Sequence, residues 1–121
     1  MIESILTSVK KCLNGIPEND EAFDEDLLLN INSAFGTLYQ LGIGPEEGYA
    51  IESKADKWSD FVSDVRLQSL IKDYIVTYCK ISWYPPESGF VMTSLEKRLE
   101  EMKWRLRVFG EQLAEGESNA N

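Results

Sequence analysis

FDEDLLLNINSAFGTLYQLGIGP, Phe23 to Pro45, decides the fold of this chain. Leu27, Ile31, Ala34, Leu38 and Leu41 recur at steps of four and three, flanked by Leu28, Phe35 and Tyr39, while Asn30, Ser33, Thr37 and Gln40 take the other side. That spacing predicts a helix with one wide apolar face. Both ends carry signals. Asp24 is the expected N-cap, Glu25 and Asp26 place negative charge in the first turn, and Phe23 is positioned to staple onto Leu28. Gly42 is the expected C-terminal stop, and Gly44-Pro45 keeps the helix from resuming.

Upstream, Ile2, Ile5, Leu6, Val9, Cys12 and Leu13 share a second helical face, with Lys10 and Lys11 near its C-terminal end and Asn14-Gly15 as its stop. The acids Glu18, Asp20, Glu21, Asp24, Glu25 and Asp26 lack the central glycine and distal glutamate of a calcium loop, and are read as a solvated linker. Downstream, GIGPEEGYAIESKADKWSDFV, residues 42 to 62, is the longest irregular stretch. Its glycines do not have phosphate-loop spacing, and Glu46 and Glu47 would repel a phosphate. Tyr49 to Glu52 is expected to be extended, and Trp58, Phe61 and Val62 are read as a helical turn pinning the loop to the core. A loop of this length is a contact candidate.

From Val65 to Trp83, Leu67, Leu70, Ile71, Tyr74, Ile75, Tyr78 and Ile81 predict a central core helix, capped by Ser63 or Asp64 and ended by Pro85-Pro86. Trp83 and Tyr84 are read as a lid on the core. The last helix carries a heptad-like seam, Met92, Leu95, Leu99, Met102, Leu106, Phe109 and Leu113, read as part of this domain's own core. Its start is set by a Thr93–Glu96 capping box or by a residue nearer Ser88. Trp104 lies off the seam among charges, where an aromatic anchors protein interfaces. The architecture expected is all-α, a single small domain of about four helices with a long irregular loop between the second and third main helices. Residues 1–110 form the domain and 111–121, almost without apolar side chains, a mobile tail.

The chain has 121 residues and a formal charge of −9, held entirely in its first half: 4 basic and 13 acidic side chains up to residue 64, then 8 of each. Such a field disfavours direct binding to DNA or RNA and favours a protein partner. There is no histidine, which removes Ser-His-Asp and Cys-His nucleophiles and every histidine metal site. No carboxylate pair or phosphate cradle takes their place, so neither catalysis nor a cofactor is expected. Cys12 and Cys79 match no metal or redox spacing and are read as two buried thiols. No apolar run is long enough to span a bilayer, and MIESILTSVKK has no signal-peptide pattern, so a cytoplasmic product with no membrane contact is expected.

IESILTSVKK, FDEDLLLNINSAFGTLYQLGIGPEEGYAIE, KWSDF, PPESGFVM and LEEMKWRL, in that order, resemble the head-to-tail connector family of tailed bacteriophages and prophages. The turn Gln40 to Pro45 and the stretch Trp104-Arg105-Leu106 are the most particular to it. The resemblance implies a structural virion protein. Copies of it, expected as a dodecamer, would form a ring beneath the portal, extend the DNA channel and dock later head-completion or tail proteins. DNA would pass through without specific binding. The interface candidates are Glu46, Glu47, Tyr49, Trp58, Arg98, Trp104, Arg105 and Arg107, with the two loop glutamates proposed to face the channel. The competing expectation is a small acidic regulatory domain, antitoxin-like or a DNA-mimic inhibitor.

Overall fold

The computed structural model describes residues 3–13, 20–83 and 85–119, with side chains through residue 112. Ile2, Asn14-Gly15, Glu18, Tyr84 and the side chain of Leu113, all of which carry expectations above, lie outside it. Five helices follow one another: α1 (Ile5–Cys12), α2 (Asp24–Gln40), α3 (Trp58–Phe61), α4 (Val65–Trp83) and α5 (Gly89–Asn119). No strand occurs among the described residues, and the fold is all-α as its periodicity predicts. α4 is the central helix, packing against α1, α2 and α5. The ring of Phe23 stands edge-on to that of Trp83 at 6.0 Å, so the start of α2 lies beside the end of α4 and the two run antiparallel.

Each helix end has a local cause. Ser4 caps α1, its Oγ accepting from Thr7 N at 3.3 Å. Asp64 caps α4 through the amides of Arg66 and Leu67. Ser88, not Thr93, starts α5: its Oγ accepts from Val91 N and its carbonyl from Met92 N. The C-terminus of α2 is a Schellman motif, with Gly42 N donating to Tyr39 O and Ile43 N to Leu38 O, both at 3.0 Å. Gly42 reaches φ +83°, which any side chain would resist, and Ile43 is tucked into the core.

Asp24 departs from its expected role. The N-cap of α2 is Phe23, with no side-chain cap, and Asp24 is the first helical residue. Its carboxylate instead accepts from Lys10 Nζ at 2.8 Å, while the same ammonium donates to Asp20 O at 2.7 Å. Lys10 is only 4% exposed. Within such surroundings a cation requires both partners, so this pair ties α1 to α2 instead of completing a helix dipole in solvent. Cys12 also departs: it is exposed at the last turn of α1, and only Cys79 is buried.

The stretch between α2 and α4 is irregular yet held at many points. Ser4 and Lys57 form an isolated antiparallel bridge, and Ile5 N donates to Asp56 O at 2.9 Å. Trp58 is fully buried and donates from Nε1 to Ser8 Oγ at 3.1 Å, so the loop is pinned to α1 as expected. Phe35 meets Tyr49 and Phe61 edge to face, and Tyr49 and Phe61 are tilted against each other, all with ring centroids 4.8–5.0 Å apart. Tyr49 to Glu52 forms no strand. Ile51 satisfies its backbone on a side chain instead, donating to Asn32 Oδ1 at 2.8 Å and accepting from Asn32 Nδ2 at 3.0 Å.

Helix α5 does not stop at Gly110. It continues to Asn119, and Gly110 serves packing: the position of a β-carbon there is taken by the carbonyl oxygen of Leu41. The seam of α5 is unevenly covered. Met102 and Leu106 are buried, Met92, Leu95 and Leu99 are half-buried, and Phe109 is exposed.

Candidate functional site

The residues marked out by the sequence fall into two groups and one outlier. Glu46 and Glu47 form the exposed tip of the loop after α2, in a turn closed by Gly48 N donating to Pro45 O at 3.0 Å. Tyr49 follows, half-buried, its ring in the stack with Phe35 and Phe61. Its hydroxyl is buried without a hydrogen-bond partner among the described residues, and burial, then the charges of Asp56 and Asp60, push it up to about 12. Trp58 is the outlier. With no exposed surface it is a core residue, because its indole fills the space between α1 and the loop.

The second group lies on α5. Trp104 is 64% exposed and borders a shallow groove of about 350 Å³ lined by Leu70, Arg105, Val108, Phe109 and Gln112. Arg98 is committed to the fold, with two bonds to the Asp73 carboxylate at 2.9 and 3.0 Å that join α5 to α4. Arg105 bonds Glu101 at 2.8 Å and Lys103 bonds Glu100 at 3.3 Å, one turn away along the same helix. Arg107 is exposed and has no ion pair among the described residues. The structure therefore places Trp104 and Arg107 one turn apart on the same side of α5, turns Arg105 toward the groove, and leaves the loop glutamates as a separate surface.

Two further exposed apolar features were not singled out from the sequence. Leu29 is 68% exposed on α2. Its signal was present, since Leu29 falls out of phase with Leu27, Ile31, Ala34 and Leu38, almost opposite the centre of the buried face. Phe90 at 82% and Val91 at 44% exposure project from the first turn of α5, near the end of the molecule formed by Phe23 and Trp83. Solitary exposed apolar residues such as Leu29 are ordinary, whereas Phe90 and Val91 are neighbours in one helical turn.

Among the described residues no three metal-ligating side chains converge, and no helix is long and apolar enough to cross a membrane. The most buried ion pair among the described residues, Lys10 with Asp24, joins α1 to α2 and is structural. The exposed features of the surface are an acidic loop tip at Glu46 and Glu47, Trp104 with Arg107 on α5, and the apolar pair Phe90 and Val91.

The comparisons with known proteins return one result. A family model described as phage connector protein matches residues 5–112, from the first residue of α1 past Gly110 in α5. No curated protein and no solved structure matches the chain.

Proposed function

The chain belongs to the phage connector protein family, and from that premise we propose that it is the adaptor of the head-to-tail joint, copies of it forming a ring beneath the portal. A structural phage protein of this kind works by the surfaces it offers, and its ring extends the DNA channel and docks a later head-completion or tail protein. We take a dodecamer as the ring. The observation that carries the reading is the extent of the match, which covers all five helices where they pack together and is not confined to one short motif.

The exposed features support it. Identical subunits in a ring meet through different faces of the same chain, which asks for at least two recognition surfaces besides those for portal and tail. Glu46 and Glu47 line the channel in this reading, where like charge keeps passing DNA from adhering. The connector domain is residues 1–110, and residues 111–121 form a tail, helical to Asn119 as the last turns of α5, that settles on a partner. The protein is made in the cytoplasm of the host and ends in the virion.

The test is disruption of the gene in the phage or prophage that carries it, with electron microscopy of the lysate. Packaged capsids that leak, lying beside complete and separate tails, are the expected outcome. Normally joined particles would sink the assignment.

A further inference from the structure

We propose that the outward face of α2, around Glu25, Leu29 and Gly36, docks on the Trp104 stripe of α5 in a second copy of this chain, so that every contact between copies is head-to-tail. The inference rests on the ring reading above and adds to it the two surfaces that meet.

Each surface is incomplete alone. On α2, Leu29 stands out from the helix with the exposed carboxylates Glu25 and Asp26 one turn before it, and neither acid has an ion pair among the described residues. Two turns further along the same face is Gly36, where an added β-carbon would meet nothing within 4 Å. A glycine inside a helix costs about 1 kcal/mol relative to alanine. Nothing in the single chain requires it, because neither a close approach nor a positive φ is found there. A bare spot beside an exposed leucine lets a flat aromatic side chain from a neighbour lie close to the helix backbone.

The complement is on α5. Glu100 and Glu101 beside Trp104 are already bonded to Lys103 and Arg105. Lys97, two turns before the indole, and Arg107, one turn after it, are exposed cations without an ion pair among the described residues. Glu111 follows one turn beyond Arg107. The match is therefore a leucine with an acid pair one turn before it against an indole with a cation on either side, Lys97 and Arg107, and with Glu111 closing the far end of the stripe. An aromatic anchor bordered by complementary charge is the pattern that sets both affinity and register in protein interfaces.

The position of the two faces decides who the partner is. α4 lies between α2 and α5, which both pack on it, and the last two meet at the end where Gly110 touches Leu41. Their outward faces are thus on different flanks of the molecule and cannot satisfy each other within one chain. A closed pair would have to exchange both contacts at once, with the two faces turned to the same side, and separate flanks favour the open arrangement instead. A contact of this kind passes from copy to copy and ends when the ring closes.

The experiment uses the full chain, raised stepwise in concentration and followed by native mass spectrometry and electron microscopy, with circular dichroism to confirm that each variant is folded. The natural chain should form closed oligomers. Lys97→Glu with Arg107→Glu, or Glu25→Lys with Asp26→Lys, should each lower the ring fraction by about tenfold or more, because like charges then face each other. All four substitutions in one chain should restore rings, and an equimolar mixture of the two double variants should give rings of alternating composition. Undiminished rings from either double variant overturn this interface while leaving the ring reading in place. A four-fold variant that stays monomeric, or a natural chain that stops at a dimer, also overturns it. A natural chain that remains monomeric at the highest concentration overturns this inference and removes unaided ring formation from the proposed function.

Discussion

Gly110 lies against the backbone carbonyl of Leu41, in the space that any side chain at residue 110 would need. The contact brings α5 onto the turn that ends α2 and continues into Ile43, whose δ-carbon is also close to Gly110. Because the obstruction is backbone, it cannot swing aside as the tip of a long side chain would. Gly110→Ala is expected to destabilise the chain by about 1–3 kcal/mol through overpacking, although alanine favours a helix. Urea unfolding of the two proteins would measure it, and an unchanged midpoint would mean that α5 is not seated on α2.

Lys10 and Asp24 supply the second prediction. Removing the anion leaves a 4%-exposed ammonium with only the Asp20 carbonyl, whereas removing the cation leaves a carboxylate with partial access to water. Asp24→Asn should therefore cost about 1–3 kcal/mol, more than Lys10→Met, whose unbranched apolar side chain is nearly as long as lysine's and keeps the packing. Thermal unfolding at neutral pH gives the ranking, and the reverse order would move the pair out of the core.

Asn32 replaces a missing strand neighbour for Ile51. Asn32→Ala leaves one backbone N–H and one C=O near the core unpaired, at a cost of about 1–3 kcal/mol. Hydrogen exchange should report the loss at the Ile51 amide before the rest of the loop. Protection there equal to that of the natural chain would show that another group holds the loop.

Alkaline pH should weaken the fold through Tyr49 and Cys79. Burial first, and for Tyr49 the charges of Asp56 and Asp60, push both groups up to about 12 from ordinary values of 10.0 and 9.0. Each folded value is above the unfolded one, so the folded state holds its proton longer. The stabilisation is complete below pH 9 and is lost progressively as pH rises through 9 to 12. Tyr49→Phe should flatten the upper part of that decline. At pH 7 it should be neutral or stabilising by about 1 kcal/mol, because the natural hydroxyl is buried without a partner among the described residues. Melting temperatures across the pH range would check both statements, and a marked loss at pH 7 would mean that the hydroxyl is bonded.

Much of the architecture was readable in order. The periods around Leu27 and Ile71 placed α2 and α4 with their ends, and Gly42 and Pro85-Pro86 stopped them where local backbone chemistry demands. Trp104 was readable as a surface aromatic because it is off the seam. Trp58 was read both as a loop pin and as an interface candidate, and only its hydrogen bond to Ser8, fifty residues away in the chain, makes it core. Asn32 carried no signal, since an amide on a helix reads the same whether it meets water or a distant loop. Gly110, read as the last residue of the domain, carried no signal of its packing role, because a glycine at a boundary and a glycine that admits a neighbouring backbone are identical in sequence.

By itself the sequence determined what local forces govern: helical periods, caps and stops, the absence of histidine chemistry, the acidic first half and the resemblance to phage connectors. Tertiary structure decided which charges are free and which are consumed. Lys10 is buried on Asp24, Arg98 is spent on Asp73 and Arg105 on Glu101, while Arg107 is exposed with no ion pair among the described residues. The physical reason is that a charged side chain chooses its partner by distance and desolvation, and both are set by helices far apart in the chain that come together only on folding.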